Sequence, residues 1–328
     1  MNIRRRSLIA SGMALFMAPG ALFAQTPDKV WRIGWLSAGP RPPDGSVPAP
    51  VRQTLHSLGY VDGKNVLYEG RWAGARSERL PAFAAELLVL RVDVIVAQGA
   101  PAGLAAKRAT ATIPIISVGG GDIVETGLVA SSARPGGNIT GVSDPATTLS
   151  AKRLEILKEL APSAKRVAVL WNAGDNAMTL RYHEIERAAQ VLHVSIEPLG
   201  VREPDDFAAA LGAMNRARPD ALMMVADALT NLNRQHVLDY AAKNGIPAMY
   251  EQSAAVEQGG LMSYGADAGE NFKLVAEYVA KVLKGAKPAD LPVQQANRYY
   301  LVVNLKTAKA LGLAIPQSLL LRADEVIQ

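Results

Sequence analysis

Cysteine is absent from all 328 residues, which excludes disulfides, thiolate metal sites, a cysteine nucleophile and a lipid-modified N-terminal cysteine. Aromatic residues are scarce at 5%. Outside residues 1–6 no basic run is interleaved with them, so nucleic acid is not an expected partner. Only four histidines occur, His56, His183, His193 and His236. They form no H-E-x-x-H pair and supply no evident base for a serine, and each is expected at a surface or half-buried helix position. Beyond the N-terminus no apolar run approaches the roughly 18 residues that span a bilayer. Gly119-Gly120-Gly121 lacks the G-x-G-x-x-G spacing of a dinucleotide loop, and no Gly-Lys-Ser/Thr follows Arg134-Pro135-Gly136-Gly137-Asn138. No cofactor and no metal is therefore expected.

What is present fits an exported two-domain protein. Hydrophobic residues make up 49% of the chain and charged residues 20%, enough for two separate cores. The net charge is +5, and three of the positive charges are Arg4, Arg5 and Arg6. These open a basic segment, residues 2–6, followed by an apolar stretch from Leu8 to Phe23 that Pro19-Gly20 interrupts. The layout predicts a secretory signal peptide over residues 1–24. Arg5-Arg6-Ser7-Leu8-Ile9 also fits a loose twin-arginine pattern. The alternative is an uncleaved anchor, which the helix-breaking pair and the short apolar core disfavour. The expected location is the periplasm.

The stretch from Ile113 to Ser143 organises the rest. It reads as a strand over 115–118, three glycines with Asp122, a short helix over 124–133, a turn, and a second strand over 139–142. Ligands bind beyond the carboxyl ends of strands in open α/β sheets, and a glycine loop there offers N–H groups to an anion. Before it, strands are predicted at 30–37, 65–69 and 93–97. Helices are predicted at 51–58, at 77–90 with Ser77 as N-cap, and at 101–110. This alternation implies a parallel sheet covered on both faces.

The pattern then repeats. Arg32-Ile33-Gly34-Trp35-Leu36 has a counterpart in Arg166-Val167-Ala168-Val169-Leu170. Arg91-Val92-Asp93 matches Arg218-Pro219-Asp220, Ala105-Ala106-Lys107 matches Ala241-Ala242-Lys243, and Ile113-Pro114 matches Ile246-Pro247. Four pairs in one order predict two Rossmann-like α/β lobes with parallel sheets and a hinged cleft between them. Residues 28–143 plus 264–290 are assigned to the first lobe, and residues 144–263 plus 291–328 to the second. Chain crossings are expected near 143, 264 and 290.

Several segments resemble one family. They are RIGWLS from Arg32, LGYVDGKNV from Leu58, VDVIVAQG from Val92, GLVASSARPGGNITGVS from Gly127, and RVAVLWN from Arg166. GGLMSYG from Gly259 and LVVNLKTAKALGLAIPQSLLLRADEVI from Leu301 complete the set. The chain resembles the periplasmic substrate-binding proteins of ABC transporters with the type I binding-protein fold, in the branch that includes tryptophan and tyrosine binders. The resemblance implies capture of a small solute for a membrane permease by a monomer. Two departures stand out: Gly121-Asp122-Ile123-Val124, where relatives often have Gly-Asp-Pro-Val, and Arg298-Tyr299-Tyr300, where they commonly have Lys-Phe-Glu.

Candidate ligand contacts follow from the strand ends. On the first wall, Ser37 can donate to a carboxylate or cap the next turn. Gln98, Gly99, Ala100 and Pro101 end a strand and open a helix whose N–H groups suit an anion. Asp122 can hold an ammonium or cap a helix. On the second wall, Asn172 offers both donor and acceptor, and Asp227 can take an ammonium group or cap the helix near Leu232. Trp171 and Tyr250, with Glu251 next to it, can stack on a ligand side chain or pack as core. Tyr264 is expected to pack at a hinge. Lys152-Arg153 with Glu155, Lys158 and Glu159 reads as a solvated helix face. The leading function is binding of an amino acid or related small carboxylate. A sensor accessory and, more remotely, a secreted enzyme remain as rivals.

Overall fold

The computed structural model describes residues 29–143, 146–296 and 298–328. The expected leader lies outside the described residues. Two sheets organise the chain, each with central strands that are buried on both faces and a more exposed edge.

The first lobe runs β1 (Trp31–Ser37), α1 (Ala49–Ser57), β2 (Val66–Trp72), α2 (Leu80–Val89), β3 (Val94–Gln98), α3 (Ala100–Ala109), β4 (Ile115–Val118) and β5 (Ile139–Ser143). The second runs α4 (Ala146–Leu160), β6 (Arg166–Asn172), α5 (Asn176–Val191), β7 (Ser195–Val201), α6 (Asp206–Ala217) and β8 (Ala221–Met224). It continues with α7 (Ala228–Leu232), α8 (Arg234–Asn244), β9 (Ala248–Tyr250), α9 (Ser253–Glu257) and β10 (Met262–Ala266). The chain then returns to the first lobe with α10 (Ala268–Leu283) and β11 (Gln294–Gln295). It ends in the second with β12 (Tyr299–Asn304), α11 (Leu305–Ala310), α12 (Gln317–Arg322) and β13 (Glu325–Ile327).

Strand order in the first sheet is β11-β5-β4-β3-β1-β2, and in the second β13-β12-β10-β9-β8-β6-β7. Five strands in each lobe thus share one parallel order. Departing from an all-parallel expectation, β12 runs antiparallel to β10, because the chain re-enters the second lobe from the hinge side.

The repeat is visible in hydrogen bonds. Asp93 accepts the Arg32 N–H and returns its own N–H to the Arg32 carbonyl; Asp220 and Arg166 do the same in the second lobe. Arg91 and Arg218, the matched residues before these aspartates, both take left-handed backbone, with φ of 52° and 49°. Each lobe carries apolar clusters on both sheet faces. In the first, Trp35 and Ile33 pack with α1 and α10 on one side, while Leu80, Leu87 and Ala106 fill the other.

Three expectations move. Residues 124–133 form no helix. Asp122 accepts the Thr126 N–H in a single turn, which ends at Gly127 with φ of +73°. Ser77 caps no helix: a 3-10 turn occupies Ser77–Arg79, and α2 starts at Leu80 with Pro81 in its first turn. The crossings fall between β5 and α4, β10 and α10, and β11 and β12. Residues 264–266 therefore lie in the second sheet and residues 294–295 in the first, later than the boundaries expected at 264 and 290. Val293 explains the last shift: its N–H bonds to the Ser132 carbonyl and holds that segment on the first lobe. Tyr264 packs on Tyr299 at 6.2 Å, beside the crossings, as a hinge aromatic.

One glycine is dictated by this packing. Gly141 in β5 has φ of +149°, and a Cβ there would lie 2.1 Å from the Ser117 carbonyl oxygen of β4. Gly141→Ala is expected to lower the unfolding free energy by roughly 2–4 kcal/mol through backbone strain and forced separation of two central strands. Chemical denaturation checks this.

Candidate ligand-binding cleft

A cavity of about 480 Å³ lies between the lobes. The carboxyl ends of β1, β3 and β4 reach it from one side, and those of β6, β8 and β9 from the other. Each parallel sheet thus aims its strand ends at the same space.

On the first wall the β3–α3 loop contributes Gln98, Gly99, Ala100 and Pro101. Gly99 has φ of +93°, its N–H is taken by the Val118 carbonyl, and Pro101 has none to give. The anion-favouring amides are therefore those of the first turn of α3 from Ala100. Ser37 does not line the cavity. Its hydroxyl donates to Gln98 Oε1 at 3.1 Å and accepts the Gly39 N–H at 3.0 Å, so it fixes the residues that do. Asp122 also lies outside: its Oδ1 accepts the Val124 and Glu125 N–H groups, and it is a turn cap. The glycine run mainly serves close approach. A Cβ at Gly120 would lie 2.8 Å from the Ala100 nitrogen, and one at Gly121 would lie 3.3 Å from Ala177 Cβ of the other lobe.

On the second wall Asn172, Asp227 and Glu251 line the cavity. Asn172 donates to Asp227 Oδ2 and accepts the Gly174 N–H. Asp227 also caps α7, with Thr230 N–H on its Oδ1 at 2.8 Å and its own N–H on the Thr230 hydroxyl. Cap and cavity wall are here the same residue. Trp171 and Tyr250 are core instead. Trp171 stacks face to face on Tyr182 at 3.7 Å. Tyr250 is 1% exposed, and burial pushes its hydroxyl above the ordinary tyrosine range. The apolar runs end at Trp171 and Tyr250, so the side chains that reach the cavity are those one position later, Asn172 and Glu251.

Glu251 is not an isolated acid. Its two oxygens accept from Arg153 at 2.9 Å and Arg181 at 2.6 Å, and Arg153 also donates to the Tyr264 carbonyl. Arg153 was expected on a solvated face, yet only 3% of its side chain is exposed. The spacing of buried Ser150, Arg153, Leu154 and Leu157 marks the inward face of α4. The solvated face carries Lys152 and Glu155 instead.

Composition-based reasoning also missed Asp175, Met178, Arg181, Arg234 and Phe272, all of which line the cavity. Asp175, the N-cap of α5, accepts the Ala177 N–H at 2.8 Å. Burial, opposed by that N–H and reinforced by the nearby Asp227 charge, pushes its carboxyl up to about 6. Its sequence signal was an Asp four residues after the end of an apolar run and just before a helical period. The four histidines are all exposed. Among the described residues no group of three or more acidic, His or Cys side chains could hold a metal ion, and no helix is long and apolar enough to cross a membrane.

A sequence model of the family described as ABC transporter substrate binding protein matches residues 48–327. A tyrosine-binding protein of Clostridioides difficile (strain R20291) is 28% identical over 261 residues, 80% of this chain and 75% of its own. The structure of a Streptococcus pneumonia ABC domain in complex with L-Trp overlays with a TM-score of 0.83 at 27% identity, over 91% of this chain and 100% of that one. A ligand-free, open substrate-binding protein with adhesive properties from Clostridium difficile has the same coverage at 25% identity, with a TM-score of 0.65. The overlay is better with the liganded protein than with the open one.

Because its folded carboxyl lies above the unfolded value of 3.8, Asp175 binds more protons folded than unfolded between pH 4 and 6. Its ionisation therefore costs stability progressively as pH rises through that window. Asp175→Asn keeps a side chain suited to capping and removes the buried charge. It is expected to raise the unfolding free energy by about 1–3 kcal/mol at pH 7.5, with the gain shrinking toward pH 4. Denaturation at both pH values reads the effect.

Proposed function

Since this chain belongs to the ABC transporter substrate-binding protein family, we propose that its cleft captures one free amino acid outside the cytoplasm and presents it to a permease. The observation that carries this reading is the pairing of opposite electrostatics across the cavity. The first turn of α3 on one lobe favours an anion. Asp227 and Asp175 on the other lobe favour a cation. A zwitterion bridges the two, and it touches both walls only when the lobes are together, so closure is linked to occupancy.

Met178, Leu229, Leu232 and Phe272 supply the apolar part of the lining, which suits an aliphatic or aromatic side chain. The tyrosine-binding relative and the L-Trp complex make aromatic amino acids the first candidates. Among the described residues the lining has one hydroxyl side chain, Ser77, and no histidine or cysteine. That supports binding in which the solute leaves unaltered. The leader read at residues 1–24 fits export to the periplasm, where family members meet their permeases.

A thermal-shift screen over the amino acids, aromatic ones first, tests this. Ligand at 100 times its Kd is expected to stabilise by roughly 2.7 kcal/mol. No shift with any amino acid, together with no heat by calorimetry, removes the reading. Asp227→Asn retains the α7 cap and is expected to weaken binding at least tenfold, about 1.4 kcal/mol. Unchanged affinity in that variant assigns Asp227 to capping alone.

A further inference from the structure

Building on the reading that the cleft holds an amino acid, we propose that it also accepts that amino acid extended at its carboxyl by a second residue. The ligand is then a dipeptide: its first residue fills the main cavity, and its second lies in an adjoining chamber with the carboxylate on Arg108. The chamber, of about 260 Å³, shares Ser77, Ala100, Pro101 and Asp175 with the main cavity, so the two spaces join there. Ala100, Pro101, Leu104, Ala105 and Arg108 line it from the first lobe. Their spacing marks one face of α3, and eight residues of helix carry the chamber about 12 Å away from the junction. Gly174, Asn176 and Ala177 line it from the second lobe. An occupant of the chamber therefore touches both lobes, as an amino acid in the main cavity does.

The charges decide which end of a dipeptide enters. Arg108 and Asp175 are the ionisable residues of the chamber lining. Asp175 stands at the junction, and Arg108 lies near the far end of α3. Arg108 is exposed and makes no ion pair among the described residues. A guanidinium stays charged at every physiological pH and meets a carboxylate with two parallel N–H donors. Its stem leans back toward the start of the helix, so the charge faces the junction. An ammonium sent into the chamber would meet that like charge. The amino end therefore stays beside Asp227 in the main cavity, and the carboxyl end points at Arg108. A second residue moves the carboxylate about 3.5 Å farther along, and it leaves a peptide carbonyl, still an acceptor, at the first turn of α3. Pro81, Leu104 and Ala105 make the wall between apolar and short, which suits a small second side chain. At about 30 Å³ for each water, the chamber has room for several, and for one alanyl residue in their place.

Calorimetry compares L-tryptophan and L-tyrosine with L-tryptophyl-L-alanine and L-tyrosyl-L-alanine. At least one dipeptide is expected to bind with an affinity within tenfold of its parent amino acid. The reversed sequences, L-alanyl-L-tryptophan and L-alanyl-L-tyrosine, are expected to bind at least tenfold more weakly, as is the dipeptide with its carboxylate converted to an amide. Arg108→Gln keeps the stem and removes the charge. It is expected to weaken the dipeptide about tenfold and to leave the free amino acid unchanged, because Arg108 does not line the main cavity. A free amino acid that binds while neither of its extended forms does overturns the inference and leaves the amino-acid function standing. Equal dipeptide affinity in native protein and Arg108→Gln, or equal affinity for both sequence orders, overturns it in the same way. A dipeptide that binds when no free amino acid does supports the chamber and overturns the free amino-acid reading. Absence of binding by all of these probes overturns the inference, and the function with it only if the wider amino-acid screen also fails.

Discussion

The second wall of the cleft depends on a buried ion triad. Glu251 lies between Arg153 and Arg181, and Arg153 reaches on to the Tyr264 carbonyl. These contacts tie together α4, α5, the end of β9 and β10, the last strand before the chain leaves the lobe. Removing one partner of such an array leaves uncompensated charge away from water, at about 3–5 kcal/mol. The geometry is accordingly held fast, and the strand-end residues that reach the cavity inherit it. Asn172 and Asp227 extend the same logic, with the asparagine amide linking the start of one helix to the cap of another.

The first wall is held by backbone rather than by charge. Ser37 braces Gln98 and the following loop, and Gly120 lets the end of β4 close on the Ala100 backbone. A wall of amides and small residues opposes a wall of paired ions. That asymmetry gives the cavity a direction, with an end that accepts negative charge and an end that accepts positive charge.

Much of the fold was legible in the sequence, and the reason is physical. The first strand of each lobe, β1 or β6, carries an arginine at or next to its start, and Asp93 or Asp220 accepts that arginine's amide, so like local needs left like residues. What failed depended on details that pattern does not carry. The helix expected over 124–133 lost to a turn ended by Gly127. Arg153 was assigned to solvent because charges cluster around it, although its spacing with Leu154 and Leu157 points inward. Trp171 and Tyr250 drew attention as aromatics at strand ends, yet the strands bury them and the next residue reaches the cavity. Asp122 and Ser37 turned out to serve the loops. Asp175 was passed over because a capping aspartate and a cavity-lining one carry the same local signal until the opposing lobe is in place.

The lobes meet through Gly121, Ala177 and Ala100, residues with no rotatable side chain beyond a methyl. At these three positions no side chain has to swing aside or find a new rotamer as the faces come together. Such a seam supplies no interlocking catch, so the dwell time of the shut form is left to the solute that bridges the two faces.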